Sequence, residues 1–146
     1  MGIKERWEGF APLPEDIKSR LSGLMPLFVK EGILLAYLFG SLGKGEGGED
    51  ADLALLPKGK GLVGLREKIW ELLGTQRVDV VNLKAVDPSF RFEIVHKGTL
   101  IYKENDEVEN NFELRVLQEY KDTDYLRRKQ AEVLRERTRE WFLRRI

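Results

Sequence analysis

The sequence predicts a small α/β (α+β) domain in which helices cover a short mixed sheet. Apolar runs of strand length alternate with helical patterns over residues 33–103. Residues 106–146 show helical periodicity almost throughout. No repeat or linker divides the chain. We therefore expect one domain over residues 1–146, with a core at about 14–103 and a C-terminal helical extension at about 106–146.

Composition excludes several classes of protein. With 42% hydrophobic and 34% charged residues, the chain resembles neither a disordered protein nor a membrane protein. It contains no cysteine, which excludes disulfides and thiolate metal sites. The 25 basic and 25 acidic side chains balance, so net charge gives no reason to expect direct nucleic-acid binding. The first ten residues have no signal-peptide pattern, and a cytoplasmic protein is expected.

The front of the chain predicts a helix followed by a buried strand. Apolar residues recur at helical spacing over residues 14–29, and Pro26 should kink or end that helix. Residues 33–39 are continuously apolar, which is typical of a strand buried on both faces. Five glycines among residues 40–48 then indicate a loop or a tight turn into a short helix.

The middle of the chain alternates strands with helices. Residues 50–56 and 77–83 read as strands, and residues 99–102 as a short one. A helical stripe between Leu62 and Leu73 should close at Gly74 in a C-terminal cap. Asp87 and Pro88 should start a short helix that Gly98 ends.

The last part of the chain predicts two helices. Asp106 and Glu109 have the spacing of a capping box, and residues 122–124 should break the helix that follows. Residues 121–146 carry nine Lys or Arg against five Asp or Glu, which is typical of a solvated amphipathic helix. Its apolar residues either pack on the core or stay exposed as an interface.

Acidic residues at strand positions are the candidate site. Because side chains alternate along a strand, Asp50 and Asp52 point the same way, while Leu53 and Leu55 face the core. Two neighbouring carboxylates repel each other unless a cation lies between them. Magnesium prefers carboxylate oxygens together with substrate phosphates, so this pair suggests a magnesium site.

Two further features complete the candidate site. Asp79 interrupts an apolar strand, and it converges with the first pair if the two strands are neighbours. Backbone N–H groups at Gly40 and Ser41, with the Ser41 hydroxyl, can cradle phosphate oxygens. Each signal has a structural alternative: a solvated strand end, a simple turn, or an ion pair between Asp79 and Arg77. Their order along the chain favours the site.

These segments resemble the signature of the polymerase-beta-like nucleotidyltransferase superfamily. The likeness lies in Leu38-Phe39-Gly40-Ser41, Asp50-Ala51-Asp52-Leu53 and Val78-Asp79-Val80. The small size is similar to the minimal nucleotidyltransferase (MNT) branch. Downstream segments are similar to MntA-like antitoxins, which pair with helical HEPN ribonuclease toxins. They are Arg91-Phe92-Glu93, Lys97-Gly98-Thr99-Leu100-Ile101-Tyr102, Phe112-Glu113 and Glu119-Tyr120.

The resemblance implies an activity and a set of roles. It implies an antitoxin that transfers AMP from ATP to a tyrosine of a HEPN toxin. Asp50, Asp52 and Asp79 would be catalytic and hold two magnesium ions. The triphosphate would be held by Gly40, Ser41, Lys44 and Gly45. Two alternatives remain: an antitoxin that only binds its toxin, and a nucleotidyltransferase that modifies a small molecule.

The sequence departs from the family pattern in its loop. Eight residues separate Ser41 from Asp50, where about ten are usual. Lys44 stands where arginine is common, so a bidentate grip on phosphate is lost. Glu49 replaces a serine. Arg91 and His96 also match the Arg-x4-His pattern of HEPN ribonucleases, but the surroundings differ, and we interpret that match as coincidental.

Overall fold

The computed structural model describes residues 17–40, 51–59 and 61–145. This part of the chain alternates helices and strands as expected, and a long helix follows. In chain order the elements are α1 (Ile17–Ser22), α2 (Met25–Lys30), β1 (Ile33–Phe39), β2 (Ala51–Pro57), α3 (Leu65–Leu73), β3 (Val78–Asn82), α4 (Pro88–Lys97), β4 (Thr99–Lys103) and α5 (Asp106–Arg145).

The four strands form one mixed sheet in the order β3-β2-β1-β4. β1 is antiparallel to both β2 and β4. β2 and β3 are parallel, which requires a crossover connection, and α3 supplies it. The mixed sheet predicted from the sequence is confirmed, and the two strands that carry aspartates are neighbours.

Helices bury both faces of this sheet. One face packs against α1, α2 and α3, and the other against α4 and α5. The first core contains Leu21, Leu24, Phe28, Ile33, Ala36, Leu38, Leu53, Leu55, Leu65, Ile69, Leu73, Val78 and Val80. The second core contains Leu35, Tyr37, Ala54, Leu56, Leu83, Ile94, Phe112 and Val116. This double burial explains the unbroken apolar run of β1.

The first predicted helix is two short helices. The break lies at Gly23 and Leu24, ahead of Pro26, which sits in the first turn of α2. A proline in a first turn sacrifices no hydrogen bond, because N–H groups there have no intrahelical acceptor. The prediction that Pro26 interrupts the helix was therefore wrong about which side of the proline the break falls on.

The ends of α3 and α4 follow the sequence signals. Gly74 takes the left-handed conformation with φ 70° after α3, as predicted. Arg20 supports this end by donating a hydrogen bond from Nη1 to the Leu73 carbonyl at 2.9 Å. At the start of α4, Asp87 Oδ1 accepts from the Phe90 N–H at 2.8 Å, which makes Asp87 the N-cap.

Glycine is required at position 98, after the end of α4, because a side chain there would be crowded by neighbouring backbone atoms. The φ of Gly98 is −78°, so no left-handed conformation requires glycine there. A Cβ at Gly98 would instead collide with the Ile94 carbonyl oxygen and lie 3.1 Å from that of Leu38. Glycine therefore lets the backbone enter β4 directly beneath the end of α4 and against β1.

The start of α5 is capped one residue earlier than predicted. Asn105 Oδ1 accepts from the Val108 N–H at 2.8 Å, which satisfies one of the first free donors of the helix. Asp106 instead pairs with Lys103 at 2.6 Å, and this ammonium lowers the pKa of the Asp106 carboxyl. The predicted capping box is replaced by a single asparagine cap.

The predicted break at residues 122–124 does not occur, and α5 runs unbroken for 40 residues. The Thr123 hydroxyl donates to the helix carbonyls of Glu119 and Tyr120, at 3.0 and 3.1 Å. A serine or threonine that bonds back in this way fits inside a helix. Asp124 faces Arg128 one turn later at 2.9 Å, which also favours the helix.

Stacked planar groups join α4 to this part of α5. The ring of Phe92 stacks on that of Tyr120 with centroids 4.0 Å apart. The Arg127 guanidinium lies over the Tyr120 ring, 3.9 Å from its centroid. Arg127 Nη2 also donates a hydrogen bond to the Tyr120 carbonyl at 2.7 Å. The middle of α5 is therefore held on the domain where the sequence suggested an interruption.

A buried hydrogen bond fixes the first half of α5 over the sheet. Tyr37 of β1, with 1% of its surface exposed, donates from its hydroxyl to Glu113 Oε1 at 2.8 Å. Burial, and then this carboxylate, raise the pKa of the Tyr37 phenol far above its usual range, so Tyr37 remains a donor. Phe112 and Val116 flank the contact in the second core.

Side chains of α3 cover one edge of the sheet. β3 is an edge strand, and its Val78 carbonyl accepts a hydrogen bond from Trp70 Nε1 at 2.8 Å. The Val80 carbonyl accepts a longer one from Arg66 Nη2 at 3.4 Å. Backbone acceptors of an edge strand are thus occupied by side chains.

No helix within the described ranges combines the length and the apolar composition that a bilayer crossing requires.

The crowding at Gly98 generates a stability prediction. Gly98→Ala should lower the free energy of unfolding by about 1–3 kcal/mol, because a methyl group must displace backbone atoms. Chemical denaturation measures this change in the free energy of unfolding. Gly59→Ala is the control, since no atom of the described residues lies within 4 Å of a Cβ there. That variant should be unchanged or gain up to about 1 kcal/mol. Equal stabilities for the two variants would contradict the packing described.

Candidate active site

The parallel register of β2 and β3 brings two predicted site residues together. Asp52 of β2 is the direct partner of Asp79 of β3. Paired residues on neighbouring strands point to the same face, and such strands lie about 4.8 Å apart. The two carboxyl groups therefore share one face of the sheet, and each is partly buried. The condition on which the predicted convergence depends, that the two strands are neighbours, is met for Asp52 and Asp79.

That face is the one covered by α4 and α5. Ala54 and Leu56, which share the face of Asp52, lie in the second core. The aspartates thus stand where the second core gives way to a polar rim, rather than on an open face of the sheet. Two like charges at this spacing on a partly buried surface repel each other unless cations or donors offset them.

Gly40 closes against Asp52 at the end of β1. It has φ 81°, a left-handed conformation that glycine adopts at little cost. A Cβ at this position would lie 2.5 Å from Oδ2 of Asp52. We expected the missing side chain to make room for phosphate; the described residues show that it makes room for the carboxylate. The strand end and the acid therefore form one compact unit.

An aromatic wall borders the pair on the β1 side. Phe39 is the antiparallel partner of Asp52, so Phe39, Asp52 and Asp79 form a row across three strands. The Phe39 ring meets Phe90 of α4 edge to face, with centroids 5.9 Å apart. Sequence reasoning missed this wall, because Phe39 reads as one more apolar residue of a buried strand and Phe90 as part of a helix.

Other predicted site residues lie outside the described ranges: Ser41, Lys44, Gly45 and Asp50. Their predicted roles stay predictions. Within the described ranges no group of three or more acidic or histidine side chains gathers at one point. Asp52 and Asp79 alone supply the oxygen donors seen here. Carboxylate oxygens are the donors magnesium prefers, so the chemistry of this pair fits the ion.

Arg91 and His96 have separate structural surroundings. The Arg91 guanidinium donates to the carbonyls of Leu83 and Val86 and pairs with Glu119, all at 2.7–2.8 Å. It is therefore engaged in holding α4, α5 and the end of β3 together. His96 lies exposed in the last turn of α4, stacked on Phe92. This arrangement agrees with the interpretation that their HEPN-like spacing is coincidental.

Comparison with known proteins identifies the family. The profile of the family described as "Polymerase beta, Nucleotidyltransferase" matches residues 24–107, which is more than half of the 146 residues. The chain therefore belongs to the polymerase beta nucleotidyltransferase family. The matched range contains Gly40, Asp52 and Asp79 together with the whole sheet. No curated protein matches the chain by sequence.

Several solved structures share its fold. One is a chain from the complex of a tri-AMPylated Shewanella oneidensis HEPN toxin with an MNT antitoxin: TM-score 0.66, 18% identity, covering 81% of this chain and 98% of that one. A chain from a toxin–antitoxin structure with AMP-PNP gives a TM-score of 0.66 at 20% identity, and the alignment covers 78% of this chain and 97% of that one. A chain from the MntA–HepT toxin–antitoxin structure gives a TM-score of 0.64 at 18% identity, and the alignment covers 80% of this chain and 97% of that one. The fold is that of minimal nucleotidyltransferases, as the sequence predicted.

The contact between Gly40 and Asp52 can be tested with a matched pair of variants. Gly40→Ala should push the Asp52 carboxylate away and weaken magnesium-dependent ATP binding at least about tenfold, since about 1.4 kcal/mol suffices for that factor. Isothermal titration calorimetry measures the affinity.

Gly64→Ala is the control for backbone strain. Gly64 has φ 74°, close to that of Gly40, but among the described residues no atom lies within 4 Å of a Cβ added there. Both variants should lose about 1 kcal/mol of stability from the left-handed conformation, and only Gly40→Ala should lose ATP affinity. Similar affinities for the two variants would show that the Gly40–Asp52 contact has no part in nucleotide binding.

Proposed function

We propose that this protein is an antitoxin that uses magnesium to transfer AMP from ATP to a tyrosine of a cognate HEPN ribonuclease toxin. The observation that carries the proposal is the in-register pair of Asp52 and Asp79 beside the tight turn at Gly40. Family membership supports nucleotidyl transfer. The similar chains come from toxin–antitoxin structures, one with a tri-AMPylated toxin and one with AMP-PNP, which supports the acceptor and the nucleotide.

The aspartates would hold the metal and the reacting phosphate together. Asp52 and Asp79, with Asp50 two residues before Asp52 in the sequence, would present carboxylate oxygens to two magnesium ions. Magnesium, when bound, would neutralise triphosphate charge and polarise the α-phosphate. Ser41, Lys44 and Gly45, with Gly40, would hold the β- and γ-phosphates through N–H groups, a hydroxyl and an ammonium group.

The acceptor would enter from the side of Asp79. Its phenolic oxygen would attack the α-phosphorus, so that an O–P bond forms while the bond to the β-phosphate oxygen breaks. Pyrophosphate would leave, and the phenolic proton would pass to a neighbouring base. Asp79 lies at the edge of the sheet, next to Asp52, and is the described carboxylate that we assign to receive this proton.

Water must be kept from the same phosphorus, because hydrolysis would waste ATP. The edge-to-face rings of Phe39 and Phe90 lie on the β1 side of Asp52 and would keep water from that side. The opposite side would be closed by the acceptor protein itself. Transfer to a bound protein would then outcompete hydrolysis only while that protein is docked.

The aspartate pair provides the sharpest test of the chemistry. Asp52→Asn and Asp79→Asn should each lower AMP transfer by about two or more orders of magnitude, because losing a metal ligand removes several kcal/mol of transition-state stabilisation. The assay mixes the protein with labelled ATP, magnesium and the purified product of the neighbouring gene, which the proposal expects to be a HEPN toxin. Mass spectrometry then identifies the modified tyrosine.

Asp122→Asn is the matched control, because Asp122 is exposed on α5, outside the site. It should transfer AMP at the wild-type rate. Wild-type activity of Asp52→Asn would refute the enzymatic proposal. A wild-type chain that binds and silences the toxin without transferring AMP would favour the alternative of an antitoxin that acts by binding alone. Absence of a neighbouring HEPN gene would remove the proposed acceptor.

A further inference from the structure

The second half of α5 exposes large apolar side chains that its own domain does not cover. Beyond residue 120 every described side chain is exposed or only partly buried. The apolar ones are between 39% and 66% exposed: Tyr125, Leu126, Val133, Leu134, Trp141, Phe142 and Leu143. Residues 121–145 span about 37 Å at 1.5 Å per residue, so the surface is large for a chain of this size.

Four of these side chains lie on one side of the helix. Leu126, Val133, Leu134 and Trp141 are separated by seven, one and seven residues, which keeps them together at 3.6 residues per turn. We call them the α5 stripe. Lys129, Gln130 and Arg137 lie beside its central members, Val133 and Leu134. The stripe is therefore an exposed surface that is apolar and basic together.

Charge narrows the choice of partner. Residues 127–145 contain eight Lys or Arg and three Glu, a net charge of +5. A second copy of this chain packed along the same stripe would place two such segments side by side, and like charges there repel. The stripe therefore suits a surface that is both apolar and acidic. Its aromatic and aliphatic members favour a protein over a nucleic acid, which would leave the stripe uncovered.

We propose that the α5 stripe docks on an acidic helical surface of the HEPN toxin, separately from the contact at Asp52 and Asp79. The inference rests on the proposed function, because it takes the toxin as the partner. A second contact on the same toxin raises the effective concentration of the acceptor tyrosine at the site. The stripe then determines how much toxin is needed for transfer, while the aspartates determine how fast transfer proceeds once the toxin is bound.

The test uses two leucines on opposite sides of one helix. Leu134→Glu alters the stripe, and Leu143→Glu, nine residues later, alters the far side; the two side chains are 62% and 65% exposed. Leu134→Glu should raise the Kd for the purified neighbouring HEPN toxin at least about tenfold, as a central interface residue does. Leu143→Glu should leave it within about threefold. Circular dichroism and thermal melts should be equal for both.

Activity separates this inference from the proposed chemistry. Leu134→Glu should need at least about tenfold more toxin for half-maximal AMP transfer, with the rate at saturating toxin unchanged. Equal toxin affinities for the two variants would overturn the inference. So would a wild-type dimer, seen by sedimentation, that Leu134→Glu dissociates, or a labelled single-stranded RNA that the stripe binds while toxin affinity is unchanged. If the wild type binds toxin in a stripe-dependent way without transferring AMP, the docking stands and the enzymatic proposal fails.

Discussion

The parallel pairing of β2 with β3 is the constraint on which the candidate site depends. Side chains alternate along a strand, so a slip of one residue would move Asp79 into the first core and Val80 to the rim. Burial on both faces makes such a slip costly, because each face is covered by its own core. The pairing continues past β3, where the Leu83 N–H donates to the Leu55 carbonyl at 2.9 Å. The alignment of Asp52 with Asp79 therefore depends on apolar packing.

Much of this arrangement could be predicted from the sequence, for local reasons. Some features depend on neighbouring residues alone: the turns and helix ends marked by glycine and proline, the apolar run of β1 and the helical stripe of α3. The same holds for Asp79, whose position inside an apolar strand indicates a function. The fold class followed from the order of these signals, and the family resemblance added the expectation that the two aspartate strands lie together.

The remaining features depend on contacts between distant residues. The wall of Phe39 and Phe90 joins residues that are far apart in the chain, and no local pattern marks it. Gly98 matters because the carbonyl of Leu38 passes close by, which only the folded sheet reveals. Thr123 reads as a helix breaker until its hydroxyl finds helix carbonyls and Arg127 packs on Tyr120. Tertiary contacts of this kind override local propensity.

The side chains over the β3 edge also restrict how this protein can evolve. The Trp70 indole N–H donates to the Val78 carbonyl, and Arg66 donates to the Val80 carbonyl from an exposed helical position. On helix propensity alone both positions would tolerate many residues. Replacement by a residue without a donor would bare strand acceptors beside Asp79 and invite pairing with foreign strands. Selection at these two positions should therefore favour donors, so that resistance to aggregation constrains residues that take no part in the chemistry.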